Sequence, residues 1–390
     1  MNPMLHAVVA GRVFDGATVR DDAAIVIDGD HIAAVADRTR LPAGMPVHEL
    51  PEGAWLAPGF IDIQVNGGGD VLFNDQPTPD GVRAIVAAHR RLGTTSLLPT
   101  LISDTPQKMA AALAAVKALV NVEPGVLGIH LEGPFLSPLK AGVHDPHMFR
   151  GPTADDLAAI LAPRGGATLV TLAPEQVPGI FIAKLAAAGT RIALGHAMAT
   201  YAQTRAAMAQ GLSGFTHLFN AMRPLDSREP GPIAAALEST GAWYGLIADG
   251  IHVAPAMLRL ALRGAGHPIL VSDAMPPVGG ARSSFVLNGE EIFVRDGRCA
   301  RGDGTLAGAC LDMVSAVRNC VRLLGIPLPK ALRFASTHPA AFLGLEHRLG
   351  RLAAGFRADM VALDGADLAV LESWVAGAPS RLAAPDQPAA

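Results

Sequence analysis

The chain has 390 residues, half of them hydrophobic and only 17% charged, against roughly 25% charged in an average globular domain. So apolar a chain buries a large core, which excludes global disorder, and its length suits one barrel-sized domain with an appendage. The formal net charge of -4, with no basic block, speaks against a nucleic-acid or membrane-surface partner.

No stretch approaches the roughly 18 uninterrupted apolar residues of a membrane span. The opening MNPMLHAVVAGRVFDG has neither a basic n-region nor an apolar h-region, so no signal peptide is expected and a cytoplasmic protein is. Cys299, Cys310 and Cys320 form no C-x-x-C pair and read as reduced thiols.

The first 55 residues alternate apolar and polar, with Asp15-Gly16 and Asp28-Gly29 as hairpin turns. From Trp55 the texture changes. Short apolar runs alternate with helix-period segments: LAPGFIDIQVNG, TSLLPTLIS, GVLGIHLEG, ATLVTLAPE, RIALGHA, SGFTHLFNA, WYGLIADG and HPILVSDAM, separated by patterns such as GVRAIVAAHRRLG and PQKMAAALAAVKALV. About eight β–α alternations over roughly 270 residues predict a (β/α)₈ TIM barrel, with a doubly wound open sheet as the alternative. SSFVLNGEEIFVRDGRCA, turning at Asn288-Gly289, predicts a hairpin inserted at about 283–300. Two helical patterns follow, LAGACLDMVSAVRNCVRLLG and LPKALRFASTHPAAFLG, before strand character returns. Residues 1–55 and 351–390 are therefore expected to pair as a small β-sandwich domain beside a barrel spanning 56–350. The tail LAAPDQPAA is expected to be disordered.

Barrel chemistry sits where strands end. Here those ends carry Asp62, Gln64 and Asn66; His130 and Glu132; His196; His217; Asp249 and His252; and Asp273. A lone histidine at such a place is more often a satisfied core residue. His196 and His217, however, follow consecutive strands, and with Glu132 they make a donor set suited to a catalytic Zn²⁺ with one open position. A buried carboxylate is costly without such a cation. Asp273, on its own a turn cap, beside that set reads as a proton acceptor and donor.

These segments resemble the amidohydrolase superfamily and, within it, the N-acetylglucosamine-6-phosphate deacetylase family. The carriers are PGFIDIQVNG at 58–67, GIHLEGPF at 128–135, LGHAMA at 194–199, THLFNAM at 216–222, DGIHV at 249–253, LVSDAM at 270–275 and the closing GRLAAGFRADMVALD. The resemblance implies hydrolysis of the acetamide of N-acetyl-D-glucosamine 6-phosphate to glucosamine 6-phosphate and acetate, in amino-sugar catabolism and cell-wall recycling. It implies metal ligands at Glu132, His196 and His217, and proton transfer by Asp273. His144 would polarise the acetyl carbonyl, and Asn220, Ala221, Val143, Asp249, Leu306, Ala307 and Gly308 would contact substrate. Arg228 and His252 would hold the phosphate, Arg228 from the neighbouring subunit of a homodimer.

Many amidohydrolases carry His-x-His at the first strand end and bind two metals, whereas this chain reads Gln64-Val65-Asn66. Amides are poor Zn²⁺ ligands, so one divalent metal per subunit is expected, Zn²⁺ first, with Fe²⁺ or Co²⁺ also suited to the site. No lysine stands at a strand end to bridge a second ion. The C4 epimer of the sugar is left open, as are a deaminase-like barrel and a non-catalytic scaffold.

Overall fold

In the computed structural model, which describes residues 5–381, the eight apolar runs become eight parallel strands. They are Phe60–Val65, Thr94–Ile102, Gly128–Glu132, Ala167–Leu172, Arg191–Leu194, Gly214–Phe215, Trp243–Leu246 and His267–Leu270, each hydrogen-bonded to the next in sequence order. Their residues are almost all buried, as a sheet covered by helices requires.

The helices begin where the sequence supplies caps. Thr78 and Thr105 accept the Gly81 and Lys108 amides and are followed by proline at the first helical position. Thr153 and Thr200 close capping boxes with Asp156 and Gln203. Gly325, in the left-handed region at φ +68°, ends Met313–Leu324.

The first and eighth strands close the barrel without a regular ladder. Their seam is made just beyond the eighth strand: the Asp273 amide donates to the Gln64 carbonyl at 3.0 Å, and the Asn66 and Gly67 amides donate to the Ala274 carbonyl at 2.9 Å. Asp62 Oδ1 accepts the Ser272 amide at 3.3 Å and the Gln64 amide at 3.2 Å.

Strands from both chain ends join in one sheet, in the order Ala378–Arg381, Val370–Val375, Met360–Leu363, Trp55–Pro58, His6–Phe14, Val19–Asp28 and His31–Asp37. One apolar cluster gathers Val8, Ile25 and Ile32 from one end with Met360 and Trp374 from the other.

The insertion is larger than a hairpin. It is a four-stranded antiparallel sheet of Ser284–Leu287, Glu290–Arg295, Arg298–Ala300 and Leu306–Ala309. The fourth strand uses the LAGA that reads as the start of a helix. Asp312 caps that helix instead, accepting the Ser315 amide at 2.7 Å, so it starts at Met313. The tail 382–390, expected to be disordered, lies outside the described residues.

Candidate active site

Glu132 ends the third barrel strand, while His196 and His217 lie two residues past the fifth and sixth. Both histidines hold left-handed backbone, φ 47° and 31°, as does Asp273 at φ 51°. L side chains rarely adopt that region, and surrounding structure must hold them there. Gly195 shows how tight the space is: a Cβ there would meet Thr171 at 2.6 Å, so only glycine lets the chain pass and present His196.

The three side chains converge. His196 Nε2 and His217 Nε2 lie 3.2 and 3.1 Å from Glu132 Oε1 and 3.1 Å from each other, all buried. His196 Nδ1 stands 2.8 Å from the Lys140 carbonyl, which can only accept. In its neutral form, therefore, His196 carries its proton on Nδ1 and aims the Nε2 lone pair at a carboxylate and a second imidazole. Such crowding of acceptors in a buried pocket fits a cation. Burial works against ionised Glu132, yet the two imidazoles hold its carboxyl well below the ordinary range. Burial likewise lowers His217, and Glu132 outweighs it to raise that ring.

Asp273 faces this cluster. Burial and the Glu132 charge push its carboxyl up to about 6. The first-strand amides hold the carboxylates through their nitrogens, while Asn66 Oδ1 is buried without a hydrogen-bond partner. Gln64 Nε2 lies 3.2 Å from each Glu132 oxygen and 3.1 Å from Asp273 Oδ1, and Asn66 Nδ2 is 2.7 Å from the same Oδ1.

The His144 ring lies against that of His196, tilted by 55° with ring centroids 4.4 Å apart. The Ser103 amide, which can only donate, reaches His144 Nδ1 at 3.3 Å, with the Ser103 hydroxyl at 2.9 Å. The neutral ring therefore bears its proton on Nε2. Burial and the neighbouring His196 lower its pKa to about 3, so it is neutral at physiological pH.

A cleft of about 180 Å³ unites Glu132, Val143, His144, His196, His217, Asn220, Ala221, His252, Asp273, Leu306 and Gly308. Asn66, Ile102, Gly142, Ile247 and Met275 line it too. Most of these are apolar or glycine and carry no chemical signature in sequence. Asp249 stands behind His252, accepting its amide at 2.9 Å and pairing with its Nδ1 at 2.6 Å. Ala307 is buried away from the cleft wall.

Arg228 is exposed in the segment between the sixth strand and its helix, and does not line the cleft of its own chain. His130 turns elsewhere: its ring bonds Thr100 and Thr171 at 3.2 and 2.7 Å inside the barrel. A wider groove of about 680 Å³ runs along the inserted sheet past Arg295, Arg298 and Arg301. It holds none of the convergent groups, so the smaller cleft is the candidate site.

Among the described residues no helix is long and apolar enough to cross a membrane. The amidohydrolase family model matches residues 55–383. The chain is 43% identical over 339 residues to N-acetylgalactosamine-6-phosphate deacetylase of Shewanella sp. (strain ANA-3), covering 86% of this chain and 85% of that one. It is 33% identical over 358 residues to N-acetylglucosamine-6-phosphate deacetylase of Haemophilus influenzae, covering 90% and 93%. Among solved structures, N-acetylglucosamine-6-phosphate deacetylase from Pasteurella multocida superposes with a TM-score of 0.93 at 33% identity, over 97% of this chain and 100% of that one.

Proposed function

The chain belongs to the amidohydrolase family, and from that premise we propose that it hydrolyses the acetamide of N-acetyl-D-glucosamine 6-phosphate, releasing acetate and glucosamine 6-phosphate in the cytoplasm. One observation carries the reading: Asp273, the Glu132–His196–His217 cluster and His144 open onto one cleft. One divalent cation per chain, Zn²⁺ by donor chemistry with Fe²⁺ or Co²⁺ also suited, would be held by Glu132, His196 and His217 and would supply Lewis acidity to the water and the acetyl carbonyl.

Asp273 takes the proton of the attacking water. Asn66 and Gln64 hold its Oδ1, which keeps the carboxylate aimed into the cleft. His144 donates its Nε2–H to the acetyl oxygen as charge develops there. Asp273 then returns the proton to nitrogen, because an amine leaves only when protonated. Asn220, Ala221, Val143, Leu306 and Gly308 form the walls around the sugar, with Ala307 behind them. Asp249 fixes Nδ1 of His252 and leaves Nε2 for a phosphate oxygen. Arg228, with its planar fork of donors, completes the phosphate site from the second subunit of a homodimer. Phosphate binding far from the reacting bond supplies orientation.

A second reading, the C4 epimer N-acetylgalactosamine 6-phosphate, is favoured by the name of the Shewanella relative. Acetate release from both phosphates, with and without a chelator, tests the assignment. Chelator-sensitive acetate release with the higher kcat/KM on the gluco epimer supports the proposal. A higher value on the galacto epimer transfers it to the second reading, and no acetate from either overturns both.

A further inference from the structure

Two thiols meet in the inserted sheet. Cys299 lies within Arg298–Ala300, and Cys310 follows Leu306–Ala309. These strands pair antiparallel, with Arg298 opposite Ala309 and a register shift before Ala300. The two Sγ atoms are 2.8 Å apart, well inside the roughly 3.5–4.0 Å of ordinary nonbonded contact. Cys299 is fully buried and Cys310 is partly exposed.

The pair is mechanically joined to the cleft. Cys299 belongs to a small apolar cluster with Ile102 and Met275, against which Val143 and Cys310 pack. Ile102, Val143 and Met275 all line the cleft. Ala309, next to Cys310, donates its amide to the Asp273 carbonyl and accepts the Met275 amide, both at 3.0 Å.

We propose that Cys299 and Cys310 form a reversible disulfide that locks the third strand of the inserted sheet to the end of the fourth, beside the Ala309 bonds to Asp273 and Met275, and makes the roof of the cleft responsive to thiol oxidants. The oxidant is a low-molecular-weight disulfide. The Cys310 thiolate attacks one of its sulfurs, forming a mixed disulfide and releasing one thiolate. The Cys299 proton passes to that thiolate. The Cys299 sulfur then attacks the Cys310 sulfur and expels the second thiolate, which takes up the Cys310 proton from solvent. Two electrons and two protons leave the protein, and the external disulfide becomes two thiols. The order follows from access, since Cys310 alone of the two reaches solvent. The contact between the two thiols also lowers the Cys310 thiol and raises that of Cys299. Cys320, buried in the helix Met313–Leu324, has no part in the exchange.

The test equilibrates the full-length native chain in oxidised and reduced glutathione mixtures. Intact mass and peptide mapping after acid quench read the linkage. Hydrogen exchange reads the Ala309 and Met275 amides, which makes the result independent of substrate and metal. The expected result is a loss of about 2 Da, a peptide linking Cys299 to Cys310, one remaining thiol at Cys320, and exchange at the two amides slowed roughly tenfold, all reversed by dithiothreitol. Cys310→Ser should show neither change, whereas Cys320→Ser should show both. Three free thiols after oxidation, or a linkage involving Cys320, overturns the pairing. A Cys299–Cys310 linkage with unchanged exchange overturns the coupling to the cleft.

Discussion

The Asn66 side-chain amide donates to Oδ1 of Asp273 at 2.7 Å, so an amide just past the end of the first barrel strand holds the proposed proton carrier. That bond favours the ionised carboxylate, against burial and the Glu132 charge that raise it to about 6. Asn66→Leu removes the donor and should raise the Asp273 pKa further, by about one unit. A general base loses activity as pH falls through its pKa. The acidic limb of kcat/KM should therefore lie higher in the variant than in the wild type, with a similar plateau. Coincident limbs in the two profiles would remove Asn66 from this role.

Asp273→Asn keeps size and hydrogen-bonding shape but cannot carry the proton. Turnover should fall by about 10²–10⁴, while binding of the substrate, followed by calorimetry, stays within a few-fold. A kcat near that of the wild type would assign proton transfer to another group.

Among the described residues, Glu132, His196 and His217 are the one cluster of histidine, cysteine and carboxylate side chains that could hold a metal, while the Gln64 and Asn66 nitrogens are turned to carboxylates. Elemental analysis after dialysis should give about one metal per chain. Stripping it with a chelator should abolish acetate release and lower the melting temperature, since a ligand bound only by the folded state stabilises that state. A reproducible two ions per chain would contradict the single site.

Burial raises the Asp62 carboxyl to about 7, and its Oδ2 has no hydrogen-bond partner. Folded protein therefore keeps a proton that the unfolded chain releases above about pH 4. The stability this contributes is full below that point and is lost as pH rises through about 7. Asp62→Asn is neutral throughout. Its melting temperature should gain on the wild type by about 2 °C or more between about pH 5 and 8, measured at matched ionic strength. A difference that does not vary with pH would show that Asp62 ionises normally in the barrel.

Arg228 is exposed and outside the cleft of its own chain. If it serves a neighbour, Arg228→Ala and Asp273→Asn chains should each be nearly inactive alone, and their mixed dimers should recover about half of the wild-type activity, with one complete site in each pair. Isolated mixed dimers with no recovered activity would place the phosphate contact elsewhere.

The texture of the chain made the barrel legible, because buried parallel strands are continuous apolar runs and their ends stand out when charge is scarce. Glu132, His196, His217 and Asp273 were visible for that reason. The inserted sheet was only half visible: Asn288-Gly289 signals one turn, but Leu306–Ala309 is small and apolar and reads equally well as helix. Gly142, Ile247 and Met275 at the cleft wall present backbone and methylene surface, which no spacing marks. The work of Gln64 and Asn66 was hidden because an amide's role depends on which carboxylates face it. Cys299 and Cys310 are 11 residues apart with no motif between them, and only the fold of the inserted sheet brings them together.

The seam between the first and eighth strands has a consequence for how this barrel can vary. Asp62, Gln64, Ser272 and Asp273 are at once the fastening of the cylinder and the neighbourhood of the reacting atoms. A substitution there that retunes the chemistry also alters the hydrogen bonds that close the barrel. New substrate preference at this wall is therefore coupled to how the barrel closes, while changes at the Asn220–Ala221 wall, borne by a loop off the closure, are free of that tie.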